Sequence, residues 1–111
     1  MQIETRTEAK TFVIALSGEI DLDSSPEVRK TIIAATQTKK PQILIDLTQV
    51  TYMDSSGIAT LVEGLQYSNQ NKGTFVVAGL GPGVREVFEL SRLDKIFTIY
   101  TDVSKALERL S

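Results

Sequence analysis

The sequence predicts an α/β domain with a mixed β-sheet of about four to five strands packed with about four helices. Short apolar runs rich in β-branched residues alternate along the chain with segments whose apolar residues recur every three to four positions. The first two runs are joined too tightly to enclose a helix, so they form the antiparallel part of the sheet. Because 41% of the 111 residues are hydrophobic, we expect one core and a single domain spanning residues 1–111.

Five segments have the composition of strands. Residues 3–7 and 11–16 would form a hairpin with its turn near residues 8–10. Residues 42–47 are mostly apolar, with Gln42 and Asp46 as the two polar members, which is typical of a buried strand. Residues 74–78 and 96–100 complete the predicted sheet.

Four segments have a helical pattern. The first begins at Ser24 or Ser25, which are good N-cap residues, and should end near Lys39 and Lys40 before Pro41. The second begins around residues 55–57 and ends near residues 71–73. Residues 84–88 predict a short third helix, and a fourth begins at residue 101 or 102. The core-facing stripe of the second helix is expected to comprise Ile58, Leu61, Val62 and Leu65.

Composition excludes several kinds of chemistry. The chain has no cysteine and no histidine, which removes disulfides, cysteine-based zinc sites and histidine general bases, and we expect no cofactor. The net charge is -2 and no basic run exceeds two residues, so we expect no direct binding to nucleic acid. No signal peptide and no apolar run of about 20 residues is present, which predicts a cytoplasmic protein without membrane insertion.

The candidate site is the junction between the third strand and the second helix. Asp54, Ser55 and Ser56 stand in a row there, and each could cap the helix. A helix N-terminus also tolerates a phosphate, so a serine at this position is a second, weaker candidate for phosphorylation on the residues alone. We expect Gly57 to keep the surface low for an approaching protein. Ala59 and Thr60, opposite the apolar stripe, would form a docking surface.

Three motifs in the chain resemble those of one protein family. The stretch VTYMDSSGI at residues 50–58 resembles the signature of anti-sigma factor antagonists, the founding members of the STAS domain family. Residues 18–21, Gly-Glu-Ile-Asp, are similar to that family's motif after the second strand. Residues 84–97, ending in LDKIF, are similar to its closing helix and strand. The order and spacing of the three motifs make the resemblance specific over nearly the whole chain.

The resemblance implies a role for each residue of the candidate site. Ser55 would be phosphorylated by a serine kinase that is also the anti-sigma factor. The unphosphorylated protein would bind that factor and free the sigma factor, and a phosphatase would reset Ser55. Asp54 would flank the acceptor and Ser56 would serve the helix cap. Asp21 would lie near the same docking face, although it is equally suited to a turn between strand and helix.

Other functions are less consistent with the sequence. A serine hydrolase would need a histidine to activate Ser55, and the loop at residues 79–83 lacks the lysine of a phosphate-binding loop, so we do not expect an enzyme. The alternative that remains is a STAS module that docks without being phosphorylated, as a subunit of a lipid-transport ABC complex or of a signalling scaffold.

Overall fold

The computed structural model describes all 111 residues as one five-stranded sheet with helices on both faces. The predicted class, a mixed sheet with four helices, is confirmed. The helices and strands, in chain order, are β1 (Gln2–Glu8), β2 (Thr11–Ile20), α1 (Ser25–Thr36), β3 (Gln42–Met53), α2 (Ser55–Gln70), β4 (Thr74–Ala78), α3 (Pro82–Leu90), a 3-10 turn (Leu93–Lys95), β5 (Thr98–Tyr100) and α4 (Val103–Leu110).

The strands follow one another across the sheet in the order β1-β2-β3-β4-β5. β1 pairs with β2 in the antiparallel direction, as a tight hairpin requires, and all later pairs are parallel. Each parallel connection contains a helix, which carries the chain back to the opposite end of the sheet. The carboxyl end of β3 therefore leads directly into the start of α2.

The two faces of the sheet bury different amounts of apolar surface. On one face α1, α2 and α3 cover the main core, which includes Ile14, Ile45, Leu61 and Phe88. On the other face only α4 is packed, and a smaller cluster forms around Ala106. The predicted apolar stripe of α2 is confirmed as core, because Leu61 is fully buried and its three companions pack against the same cluster.

Four predicted boundaries were wrong. β2 continues to Ile20 instead of ending at residue 16. β3 continues to Met53 instead of ending at residue 47, because register shifts in its pairing with β2 carry the ladder past the polar residues. α1 ends at Thr36, whose carbonyl accepts a hydrogen bond from the Asn71 side chain at 2.5 Å. The last strand begins at Thr98 and not at residue 96. No helix of the chain is both long enough and apolar enough to cross a membrane.

Candidate functional site

Asp54 is the N-cap of α2 and organises the site. One carboxylate oxygen, Oδ1, accepts hydrogen bonds from the backbone N–H groups of Ser56 at 2.9 Å and Gly57 at 3.4 Å. The same oxygen accepts a hydrogen bond from the Ser56 hydroxyl at 2.5 Å. The Asp54 backbone N–H donates to the Ile20 carbonyl at 3.1 Å, which anchors the start of α2 to the end of β2. The site is thus built from the carboxyl ends of two neighbouring strands.

The ionised form of Asp54 is favoured by these contacts. The Ser56 hydroxyl makes the largest contribution to holding the pKa of Asp54 below its ordinary value of 3.8. Partial desolvation opposes this effect, and the backbone N–H groups of Ser56, Gly57 and Leu22 add to the lowering of the pKa. The carboxylate is therefore negatively charged at neutral pH and is held in one orientation.

The side chain of Ser55 makes no hydrogen bond that the fold requires. It is the first residue of α2, it is exposed, and its hydroxyl has no hydrogen-bond partner within the chain. The expected capping role of Ser56 was wrong, because Asp54 accepts the backbone hydrogen bonds and Ser56 serves as a donor to that carboxylate. A modification of Ser55 would consequently break no hydrogen bond of the fold.

Asp21 shapes the loop between β2 and α1. Its Oδ1 atom accepts hydrogen bonds from the backbone N–H groups of Asp23 at 3.0 Å and Ser24 at 3.1 Å. The Ser24 hydroxyl in turn donates to the Glu19 carbonyl at 2.8 Å. Leu22, in the same loop, directs its N–H towards the carboxylate of Asp54. Asp21 therefore acts as a turn residue, and the loop that it holds lies beside the start of α2.

Gly57 faces the protein interior, so the expectation that it lowers the docking surface was wrong. A Cβ atom at Gly57 would lie 2.7 Å from Cγ2 of Ile20 and 2.7 Å from Cγ of Met53. Both neighbours belong to the buried core. The glycine is required because α2 begins in direct contact with the ends of β2 and β3.

Ala59 and Thr60 point in different directions. Ala59 is exposed one helical turn beyond Ser55, as expected for a docking surface. Thr60 is only 6% exposed, and its hydroxyl donates to the Ser56 carbonyl at 3.0 Å. Thr60 therefore cannot form the exposed docking surface predicted from the sequence.

Two exposed apolar side chains near the site escaped the sequence analysis. Leu22 is 76% exposed in the loop that adjoins Asp54, and Tyr52 is 51% exposed two residues before Asp54 on β3. Tyr52 pairs across the sheet with Glu19, so both side chains lie at the same end of the molecule. Tyr52 directly precedes the core residue Met53 on β3, so its side chain lies on the opposite face of the sheet from the main core. In the sequence, Leu22 stands between Asp21 and Asp23 just after the end of β2, and Tyr52 is the second-last residue of β3.

The other glycine-rich loop has a structural explanation. Gly79 has a φ of +78°, and a Cβ atom there would collide with the side chain of Thr48. Gly81 is the N-cap of α3 and has open space around it. The loop thus turns the chain from β4 into α3 at a point of close approach to β3. Among the acidic side chains of the chain, no group of three or more is arranged to hold a metal ion.

Comparison with known proteins agrees with the motifs and the fold. The family model described as the STAS domain matches residues 2–106. The anti-sigma F factor antagonist of Paenibacillus polymyxa is 32% identical over 111 residues, which cover 99% of this chain and 95% of that protein. The crystal structure of an anti-sigma factor antagonist from Mycobacterium paratuberculosis superposes with a TM-score of 0.89 at 29% identity, covering 97% of this chain and 92% of the other.

A third structure shares the fold at lower identity. The Bacillus cell fate determinant SpoIIAA in its phosphorylated form superposes with a TM-score of 0.75 at 22% identity, covering 99% of this chain and 100% of the other. The chain therefore belongs to the STAS domain family, and the resemblance of its three motifs is confirmed. The relatives that are about 30% identical to it are anti-sigma factor antagonists.

Proposed function

We propose that this protein is an anti-sigma factor antagonist whose binding to an anti-sigma factor is switched by phosphorylation of Ser55. The observation that carries the proposal is that Asp54, and not Ser55, caps α2. Asp54 satisfies the backbone N–H groups, while the Ser55 hydroxyl is exposed and unpartnered. The relatives named as anti-sigma factor antagonists support the same function.

Phosphorylation of Ser55 would change the surface charge strongly but would leave the fold nearly unchanged. A phosphate adds a charge of about -1.5 to -2 at neutral pH, and the partial positive charge of a helix N-terminus tolerates it. The surroundings are already acidic, with Asp54, Asp21 and Glu19 at this end of the molecule. The two ion pairs of the chain, Arg6–Glu8 and Arg29–Glu63, lie outside this group. The added charge would thus remain uncompensated within the protein.

A partner surface docked over Ser55 would respond to that charge. The exposed residues available to it are Leu22, Tyr52, Ser55 and Ala59, with the loop held by Asp21 at the side. Burying an uncompensated dianion in such an interface costs several kcal/mol, which corresponds to a large loss of affinity. The partner is a serine kinase that also acts as the anti-sigma factor, and a protein phosphatase restores Ser55.

The protein itself acts by binding and not by catalysis. Its proposed task is to sequester a regulator of transcription in the cytoplasm, and none of the site residues is placed with a base that could activate Ser55 as a nucleophile. The Asp54 carboxylate faces the Ser56 hydroxyl and the backbone instead.

Mass spectrometry after phosphorylation tests the acceptor. The protein would be incubated with ATP and each serine kinase of the anti-sigma type encoded in the same genome. We expect a gain of about 80 Da in wild type and in Ser56→Ala, but none in Ser55→Ala. No gain with any such kinase, and none on Ser55 in protein isolated from the native host, would favour the docking module that is never modified.

A binding assay tests the switch. Ser55→Glu should bind the anti-sigma factor at least tenfold more weakly than wild type in isothermal titration calorimetry. Gln66→Glu is the matched control, because it adds the same charge at an exposed position about three turns further along α2. Equal weakening by both variants would mean that net charge, and not the position of Ser55, determines binding.

A further inference from the structure

The largest groove of the molecule lies at the end of the sheet remote from Ser55. It has a volume of about 870 Å³, which falls in the range of small-molecule sites. The edge strand β1 forms one wall and α1 forms the other, and the start of β3 closes the end. Ser55 follows the opposite, carboxyl end of β3, so this groove is separate from the proposed docking surface.

The groove exists because α1 does not cover β1. Thr5 and Thr7 pair with Ile14 and Phe12, so they lie on the face of the sheet that carries the main core. Their small polar side chains leave open the space that a larger apolar residue would fill. The apolar part of the groove surface comes from Phe12 and Ala35, which are half-buried, and from the exposed Ala34.

Four lysines surround this apolar surface. Lys10, Lys30, Lys39 and Lys40 line the groove with a single carboxylate, that of Glu27. The local charge is therefore +3 in a chain whose net charge is -2. None of the four ammonium groups takes part in either ion pair of the chain. Lysine side chains can pack their methylene stems along an apolar wall while their charged ends remain free to contact a ligand.

An adjoining depression extends the positive surface. It shares Lys39 and Lys40 with the groove and adds Lys72, without any acidic residue among its lining. Because charged groups of one sign lining a concave surface raise the local concentration of counter-ions, this end of the molecule attracts anions. The apolar surface of the groove would hold the uncharged part of a ligand.

We infer that the groove between β1 and α1 binds a small amphiphilic anion, with a carboxylate or phosphate head held by the lysines and an apolar body against Phe12 and Ala35. The charged head and the apolar body of the inferred ligand follow from two independent features of the groove, namely its uncompensated lysines and its apolar surface. A simple anion would use only the first feature, and a neutral apolar molecule only the second.

Titration by ¹H–¹⁵N NMR with three probes tests this inference. Sodium octanoate carries both parts of the predicted ligand, octan-1-ol only the apolar part, and inorganic phosphate only the charge. We expect octanoate to cause saturable shifts at the amides of Thr31, Ala35 and Ile43, and to bind at least tenfold more tightly than either of the other probes. Raising the salt concentration should weaken octanoate binding.

Paired double variants assign the binding to the groove. Lys30→Ala combined with Lys39→Ala should weaken octanoate binding at least tenfold. Lys95→Ala combined with Lys105→Ala removes the same charge from exposed lysines outside the groove and should leave binding unchanged. The lysines replaced in the two double variants are all exposed, and the NMR spectra themselves report whether the fold is retained.

Several results would overturn the inference. Equal binding of octan-1-ol would show non-specific apolar adsorption, and equal binding of phosphate would show a simple anion site. Absence of octanoate binding, shifts confined to other regions, or equal effects of the two double variants would each refute the assignment.

Discussion

Replacing Gly57 by alanine should destabilise the protein because the new methyl group has no room. The Cβ atom would be 2.7 Å from Cγ2 of Ile20 and Cγ of Met53, whereas carbon atoms at optimal contact are about 3.5–4.0 Å apart. Cγ2 of Ile20 lies close to its own backbone, and the buried Met53 side chain is surrounded by other core residues, so neither can move away freely. The start of α2 must therefore move outward by roughly 1 Å relative to the ends of β2 and β3.

The expected magnitude combines two opposing effects. Adding a methyl group to a filled core costs about 1–3 kcal/mol, and two close contacts of 2.7 Å place this site in the upper part of that range. Alanine is better than glycine in a helix by about 1 kcal/mol, which offsets part of the cost. The net loss of unfolding free energy at Gly57 should be about 1–2 kcal/mol. Gly83, in the first turn of α3, has no atom within 4 Å of the place that an alanine methyl would take, so the same substitution there should stabilise the protein by up to about 1 kcal/mol.

Urea unfolding followed by far-UV circular dichroism compares the two variants directly. With a denaturant slope of about 1–3 kcal/mol per molar urea, Gly57→Ala should lower the midpoint by several tenths of a molar unit or more. Gly83→Ala should leave the midpoint unchanged or raise it. If Gly57→Ala unfolded at the same urea concentration as Gly83→Ala, the packing argument for the start of α2 would be refuted.

Three further predictions concern the core, the cap and the docking surface. Phe88→Ala should lower the unfolding free energy by about 3–5 kcal/mol in the same urea assay, because Phe88 is fully buried with its ring 5.7 Å from that of Phe97; a loss below about 1 kcal/mol would contradict its place in the core. The stability advantage of wild type over Asp54→Asn should be constant above the ordinary carboxyl pKa of 3.8 and should shrink as the pH falls below it, because the folded-state pKa of Asp54 is lowered. Urea midpoints measured across that pH range check the sign, and an advantage that grows towards acid pH would contradict it. Leu22→Ala and Tyr52→Ala should each weaken binding to the anti-sigma factor at least tenfold by calorimetry, whereas Leu90→Ala, equally exposed at 78% but on α3, should bind as wild type does.

Local patterns were sufficient to predict the layers of the fold. The alternation of strand and helix patterns indicated the mixed sheet, and the stripe containing Leu61 identified the core face of α2. The end of β3 was missed because Thr48 and Gln49 interrupt the apolar run, although pairing with β2 carries the strand on to Met53. Pairing between distant segments is not visible in one strand's own composition.

Thr60 belongs to a second buried face of α2 that the hydrophobic pattern of the sequence does not reveal. Gly57, Thr60, Gly64 and Ser68 are all buried and form a second face of α2. A Cβ atom at Gly64 would lie 2.6 Å from Cγ2 of Ile32, so this face of small residues allows α1 to approach closely. Because the residues are neither large nor apolar, the hydrophobic pattern did not reveal a contact that only the packed helices create.

Ser55 is exposed, as a phosphorylation site requires, whereas the capping role was assigned to the wrong neighbour. Ser55, Ser56 and Asp54 are all suitable caps by residue type, and only the three-dimensional structure shows that Asp54 accepts the backbone hydrogen bonds. Whether Ser55 is modified stays a prediction.

Because Asp54 and not Ser55 caps α2, the stability of the fold and the proposed switch depend on different residues. Because residue 55 contributes neither a hydrogen bond nor buried surface, mutation at this position carries little folding cost. If the proposed switch is correct, a duplicated copy of the gene can lose Ser55, retain an intact domain and remain permanently in one signalling state. Loss of Asp54, in contrast, would remove the cap of α2 and destabilise the domain. Selection for stability therefore acts on residue 54, and selection for the proposed regulation acts on the adjacent residue 55.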